Sequence, residues 1–261
     1  MYAGASRARK VGSVRTALLS GLAALLTGPA PSLAQERAFD PQSAYQEQSI
    51  QGFTVLVNRQ VLAEARAAAD VHAELARQFG EVVEFVPPPA VSALRKVRVW
   101  VEWSKRPDAG AQFHISQGWL EKNGYNPAKA GGIEISNSVN FVNWSRAEQP
   151  CMVLHELAHA YHILVLGESN PEIAAAYRQA VESRSYESVE YAGGGKKRAY
   201  ALVNEKEYFA EISEAYFGRN DYYPFTRADL QRHDPVGYEL MQRLWGNVAN
   251  PESVALAGEK R

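Results

Sequence analysis

The segment His155-Glu156-Leu157-Ala158-His159 carries two histidines four residues apart, with a glutamate directly after the first. In a helix, residues i and i+4 lie on one face about one turn apart. Two imidazoles in that arrangement can bind one metal ion, and the adjacent carboxylate can take a proton from a metal-activated water. His155 and His159 are therefore predicted metal ligands, and Glu156 is the predicted general base.

The residues around this segment predict a buried helix over 147–164, with Pro150 in its first turn. Apart from the face that carries the histidines, nearly every face of that helix is apolar. Buried polar groups need partners, and a bound metal ion would supply them. The pattern H-E-x-x-H is that of zinc metallopeptidases.

A catalytic zinc ion takes three protein ligands and keeps one position open. His162 is close in sequence, but it follows His155 by seven residues, which is about 10 Å along a helix axis. In another pattern the third histidine follows the first by about ten residues, but that position here is Val165. The third ligand is therefore expected from a different part of the chain.

A second helix is predicted over 204–217, where Glu207 and Glu211 are i,i+4 neighbours on a largely apolar helix. One carboxylate could bind zinc while the other orients a ligating imidazole through its free N–H. The alternative is an acidic face in contact with solvent.

The two segments His155-Glu156-x-x-His159 and Glu207-Tyr208-Phe209-Ala210-Glu211 together resemble the gluzincin metallopeptidases, in particular the anthrax lethal factor catalytic domain and the bacterial Pro-Pro endopeptidases. The resemblance covers about 131–217. It implies that Glu207 is the third ligand of one Zn²⁺ per chain and that Glu211 is an outer partner. It also implies that Tyr200 stabilises the oxyanion. Chemistry alone allows Tyr200 either that role or a packing role.

The predicted fold class is α+β: a small mixed sheet with an edge strand over the active-site helix, followed by a mostly helical C-terminal half that carries the glutamate ligand. A helix is expected over 61–79, with Gly80 as its stop. Further helices are expected over the ranges 171–182, 204–217 and 235–245. Strands are expected over the ranges 53–57, 97–103, 112–116, 133–136 and 139–142.

Two segments near the site have alternative interpretations. The resemblance implies that 132–136 is an edge strand that pairs with extended substrate; the alternative is an ordinary core strand. The Gly-rich segment 183–199 could be a lid or a solvated loop.

The N-terminal 34 residues contain four basic residues and no acid, followed by an apolar run and the small-residue sequence Ser32-Leu33-Ala34. This predicts a signal peptide, 1–34, cut near Ala34; a disordered or uncleaved anchor is the alternative. The further divisions are a flexible leader at 35–51, a single catalytic domain at 52–250 and a flexible tail at 251–261. The predicted location is secreted or periplasmic, without a stable membrane anchor.

Of the 28 basic residues, 24 follow position 34, against 29 acidic ones, which gives a net charge of −5. With no basic block, the expected partner is a peptide or protein substrate and not nucleic acid. Cys151 is the only cysteine, so no intramolecular disulfide is possible. It is predicted to be a small buried residue, although a role as a fourth ligand stays open.

These features predict an exported zinc-dependent endopeptidase, most simply a monomer. One alternative is a non-catalytic, zinc-stabilised peptide-binding protein. Another is a zinc amidase that acts on cell-wall peptides.

Overall fold

The five-stranded mixed sheet is the framework on which the rest of the chain packs. In the computed structural model, residues 39–106 and 108–246 are described, and they belong to one compact unit. The strand order is β1-β2-β3-β5-β4. The inner pairs β2–β3 and β3–β5 are parallel, whereas β1–β2 and β4–β5 are antiparallel. The strands of this sheet are β1 Tyr45–Ile50, β2 Phe53–Asn58, β3 Val99–Val101, β4 Ala111–Phe113 and β5 Ile133–Ile135.

Helices make up most of the remaining described structure and dominate its C-terminal half, so the predicted α+β class is confirmed. A two-stranded hairpin, β6 Val189–Glu190 and β7 Lys196–Lys197, lies between the helices Pro171–Ser183 and Glu205–Phe217. The helices are α1 Arg59–Ala63, α2 Ala65–Phe85, α3 Pro88–Leu94, α4 Gln117–Lys122, α5 Ser138–Ala147, α6 Met152–Tyr161, α7 Pro171–Ser183, α8 Glu205–Phe217, α9 Arg227–His233 and α10 Pro235–Gly246.

The two faces of the sheet follow the period-2 alternation of side chains. Val55, Val99 and Ile133 point into the main core, which also includes side chains of α2 and α6. The opposite face carries Trp100 and a buried charge network, in which Lys129 Nζ donates to both Glu102 and Glu134. That pairing offsets the cost of burying the charges.

Aromatic packing fixes α6 against α8. The rings of Tyr161 on α6 and Trp245 on α10 stack with their centroids 4.0 Å apart. Phe209 of α8 also stacks on Trp245, and the centroids of the two rings lie 5.8 Å apart. The metal-ligand candidates are thus on two helices whose separation is set by a buried aromatic cluster.

Several predicted boundaries are wrong. Residues 45–50, assigned to a flexible leader, form β1, because Gln51 and Gly52 adopt the positive φ values of a tight hairpin turn. The predicted strand 139–142 lies inside α5, whose start is capped by Asn137. Helix α2 runs through Gly80, because Val82 beyond it is buried in the same core.

The α6 helix is shorter than predicted. It begins at Met152, after Pro150, and it passes into a π-helical turn over His162–Gly167. The segment 183–199 contains the β6–β7 hairpin. The predicted signal peptide at 1–34 and tail at 251–261 lie outside the described residues. None of the described helices has the length and apolar character needed to cross a membrane.

Candidate metal centre

His155 and His159 project from one face of α6 into a cleft. Their ring centroids lie 4.8 Å apart, as their i,i+4 spacing requires. The side chains are 13% and 12% exposed, respectively. The opposite face of the helix is buried through Leu157 and Ala158, so the helix cannot rotate the imidazoles away without exposing its apolar face.

Glu207 reaches the same point from the first turn of α8. Asn204 caps this helix and accepts hydrogen bonds from the backbone N–H groups of Lys206 and Glu207. Glu207 Oε2 lies 3.1 Å from His155 Nε2 and 3.2 Å from His159 Nε2. The sequence prediction that these three side chains meet is therefore confirmed, and together they could hold a metal ion.

The donor set fits zinc. Ligand atoms about 2.0–2.1 Å from a tetrahedral zinc ion lie about 3.3–3.4 Å from each other. The two measured N–O separations are within about 0.3 Å of that value, so little movement would be needed. Two imidazoles and one carboxylate also leave the open position that distinguishes catalytic from structural zinc sites.

In the metal-free centre, ion pairs shift the pKa values of Glu207 and His155. Burial raises the pKa of Glu207, but hydrogen bonds with His155 and His159 outweigh it and bring the pKa to about 2. Burial lowers the pKa of His155, but hydrogen bonds with Glu207 and Glu214 outweigh it and raise the pKa well above its usual value. Without metal, these carboxylates therefore favour the protonated form of His155.

Zinc binding should therefore release protons, because a ligating imidazole nitrogen must be deprotonated. The apparent zinc affinity should fall as the pH drops, because protons compete with the metal ion for the ligating nitrogens. Calorimetric titrations in two buffers of different ionisation enthalpy would count the protons. An affinity that is constant between pH 6 and 8 would contradict this competition between protons and zinc.

Glu214, and not Glu211, orients His155. Glu214 Oε1 lies 2.6 Å from His155 Nδ1, whereas Glu211 Oε1 lies 3.8 Å from the same atom. A distance of 3.8 Å is too long for a hydrogen bond, so the predicted outer role of Glu211 is corrected to Glu214. Burial raises the pKa of Glu214 to about 7, although the bond with His155 acts in the opposite direction.

Glu214→Ala should weaken zinc binding by roughly 10- to 100-fold, the usual cost of losing the partner of a ligating histidine. Glu211→Ala is the matched control, because its carboxylate makes no hydrogen bond with His155. Competition with a zinc chelator would measure both affinities. A larger loss in Glu211→Ala than in Glu214→Ala would restore the original assignment.

Glu156 lies beside the candidate ligands and is only 8% exposed. The backbone N–H of Phe113 donates a 2.6 Å hydrogen bond to Glu156 Oε2. This contact fixes one carboxylate oxygen and leaves the other free to exchange protons. Phe113 belongs to β4, so a strand of the sheet holds the predicted base in place.

The edge strands of the sheet are β1 and β4, and β5 lies between β3 and β4. The prediction that 132–136 is the edge strand is therefore wrong. Strand β4 precedes β5 in the sequence, but in the sheet β4 lies at the edge and β5 lies next to it on the inner side. Gly110 and His114 make backbone hydrogen bonds toward the β5 side. Ala111 and Phe113 alternate with them, so their backbone groups face away from β5.

Tyr200 begins a short 3₁₀ turn just before α8. Its ring centroid lies 6.3 Å from that of His155, and the side chain is 43% exposed at the cleft. Burial of the hydroxyl and the nearby Glu207 carboxylate raise its pKa, so the phenol keeps its proton and can act as a donor.

His162 and Cys151 lie outside the ligand group. His162 is fully buried against Phe209, and burial together with nearby His159 lowers its pKa to about 4. Cys151 is buried at the start of α6, where its sulfur accepts a hydrogen bond from the backbone of Arg219. Burial and the charge of Glu214 raise the pKa of this thiol to about 12. The predicted burial of Cys151 is confirmed.

A cleft of about 400 Å³ runs along β4 and opens onto the three ligand candidates, Glu156 and Tyr200. Comparison of the chain with protein-family models, with curated proteins and with solved structures gave no match.

Proposed function

We propose that the chain is an exported, zinc-dependent endopeptidase of the gluzincin type. The observation that carries this proposal is the convergence of His155, His159 and Glu207 beside Glu156, at the base of a cleft bordered by a sheet edge. A structural zinc site is usually closed by four protein ligands, whereas this ligand group has three.

Each side chain has a defined task in this proposal. His155, His159 and Glu207 would hold the zinc ion, with His155 kept in orientation by Glu214. When bound, zinc would lower the pKa of a water molecule and polarise the scissile carbonyl. Glu156 takes the proton from the attacking water and passes it to the leaving amine.

Two further groups act on the substrate. The Tyr200 hydroxyl donates to the oxyanion that forms on the scissile carbonyl. The outward backbone groups of Ala111 on β4 pair with an extended peptide, which places its carbonyl over the ligand group. Since backbone pairing does not depend on side chains, it gives affinity without selecting a sequence.

Hydrolysis of a mixed-sequence peptide library tests the proposal. The zinc-loaded protein should cleave internal peptide bonds, a chelator should abolish cleavage, and added zinc should restore it. Stoichiometric zinc without cleavage of any peptide would refute the proposal in favour of a non-catalytic peptide-binding protein. Cleavage limited to cell-wall peptides would identify the amidase alternative.

A further inference from the structure

The buried charge network on the far face of the sheet extends to His114, the residue that follows β4. His114 Nε2 lies 2.7 Å from Glu134 Oε2, and the other carboxylate oxygen of Glu134 accepts from Lys129. Lys129 also donates to Glu102. These four side chains are at most 3% exposed. A buried ion pair adds little net stability, but it can fix one arrangement of the chain. The position of His114 indicates which part of the chain this network fixes.

His114 is the hydrogen-bond donor to Glu134. Burial raises the pKa of Glu134, but hydrogen bonds with His114 and Lys129 outweigh it and lower the pKa below its usual value. An ionised carboxylate can only accept hydrogen bonds, so the donor is His114 Nε2. A side chain without a donor at position 114 would take a hydrogen bond away from a buried carboxylate, which is unfavourable unless the strand moves.

Strand β4 has few other attachments at this end. Among the described strands it pairs with β5 alone. Just after β4, the backbone N–H of His114 donates to Gly132 O at 2.9 Å, and the N–H of Gly131 donates to His114 O at 2.7 Å. Glu134 lies opposite Gln112 in the β4–β5 ladder, so the bond between His114 and Glu134 is a diagonal contact across the two strands. Backbone and side-chain bonds of one residue, His114, thus hold the end of β4.

The residue before His114 contacts the proposed general base. The backbone N–H of Phe113 donates to Glu156 Oε2 at 2.6 Å. Successive side chains of a strand point to opposite faces of its sheet. The ring of Phe113 packs in the main core, whereas the imidazole of His114 joins the charge network on the far face. A shift or rotation of the chain at His114 would therefore move the N–H group that orients Glu156.

We propose that His114 is a positioning residue for the general base. Its hydrogen bond to Glu134 fixes the end of β4, and β4 holds Glu156 through the N–H of Phe113. Lys129 joins Glu134 to the residue that follows the central strand β3, so the anchor extends to the middle of the sheet. This inference rests on the proposed peptidase function, in which Glu156 is the base. His114 does not contact the reacting atoms and acts only through the strand.

Two variants separate the hydrogen bond of His114 from the bulk of its side chain. In His114→Gln the amide N–H can replace Nε2 as the donor, whereas leucine in His114→Leu cannot donate. We expect His114→Leu to lower kcat on a cleaved peptide by roughly 10- to 100-fold, the scale of loss when a catalytic group is misplaced. His114→Gln should recover most of that loss. Zinc content per chain should not change, because the ligand group lies on α6 and α8.

Tyr45→Phe is the matched control, because it removes a hydrogen bond from the same network without contact with β4. The Tyr45 hydroxyl donates to Glu102, and Tyr45 lies on β1 at the opposite edge of the sheet. Its kcat should equal that of the wild type. Similar losses of kcat in Tyr45→Phe and His114→Leu would overturn the proposal, because any damage to the network would then suffice. A His114→Gln variant as slow as His114→Leu would overturn it too.

Hydrogen exchange of the Phe113 amide, measured by NMR, tests the same anchor without a substrate. This amide should exchange at least tenfold faster in His114→Leu than in the wild type, while amides in the middle of α6 keep their rates. His114→Gln and Tyr45→Phe should stay close to the wild type. If His114→Leu does not fold, Glu134→Gln replaces it, because this change removes the charge that accepts from His114. The same increase in exchange and loss of kcat are expected.

The failure of this inference is distinguishable from failure of the proposed function. Wild-type kcat in His114→Leu, or in Glu134→Gln where that variant replaces it, would overturn the positioning role and leave the peptidase intact. Unchanged exchange of the Phe113 amide in the variant used would do the same. If the wild type cleaves no peptide, the proposed function fails, and the exchange rates alone decide whether His114 holds the N–H group that contacts Glu156.

Discussion

Glu156→Gln is expected to retain zinc and to lose peptide hydrolysis by roughly 10³-fold, within the range that general acid–base groups contribute. The amide keeps the shape of the side chain, and its carbonyl oxygen can still accept the hydrogen bond from Phe113 N–H. It cannot take a proton from water at neutral pH. The measurement is kcat/KM on a cleaved peptide, together with the zinc content of the same sample.

The position of Glu156 makes this variant informative. Since its carboxylate is not among the ligand group, its loss should not change the zinc stoichiometry. Glu121→Gln on α4 is a matched control on an exposed surface, and it should be fully active. Full activity of Glu156→Gln would exclude Glu156 as the general base, and loss of zinc from it would show that Glu156 contributes to the metal site.

The spacing of polar residues within one helix predicted the two histidines of the ligand group. His155 and His159 are one turn apart, so any helix through them brings the imidazoles together. Glu207 was harder to assign because the helix that carries it has several glutamates. The resemblance to gluzincins selected it, and the measured distances place it beside both histidines.

The outer partner of His155 could not be predicted in the same way. Glu211 and Glu214 lie one and two turns after Glu207, so both share its face of α8. Which carboxylate meets His155 Nδ1 depends on how α8 packs against α6. That packing is set by contacts distant in sequence, such as the Phe209–Trp245 pair.

The order of the strands in the sheet could not be predicted from local sequence patterns either. The period-2 alternation at 133–136 predicted a strand correctly, but whether a strand lies at the edge depends on its neighbours. β1 was missed because its middle positions are polar, and only Tyr45 and Ile50 at its ends are buried. In α5, the apolar residues between 139 and 142 also suit a helix, and the Asn137 cap decides the outcome.

Glu207→Ala is expected to abolish stoichiometric zinc binding, with an affinity loss beyond the roughly 10- to 100-fold expected for an outer partner such as Glu214. The reason is geometric: Glu207 Oε2 contacts both imidazoles, so its removal leaves only the two nitrogens on α6. Hydrolysis should be lost with the metal. Metal analysis after gel filtration measures the stoichiometry, and chelator competition measures the affinity.

Glu205→Ala is the matched control, because Glu205 lies in the same first turn of α8 but is not in the ligand group. Both variants remove one carboxylate from the positive end of the helix, so their effects on helix stability should be similar. A zinc deficit confined to Glu207→Ala therefore reports ligation and not a damaged helix. Equal zinc content in the two variants would refute Glu207 as the third ligand, and the site would then have to be completed from Glu211 and Glu214 through His155.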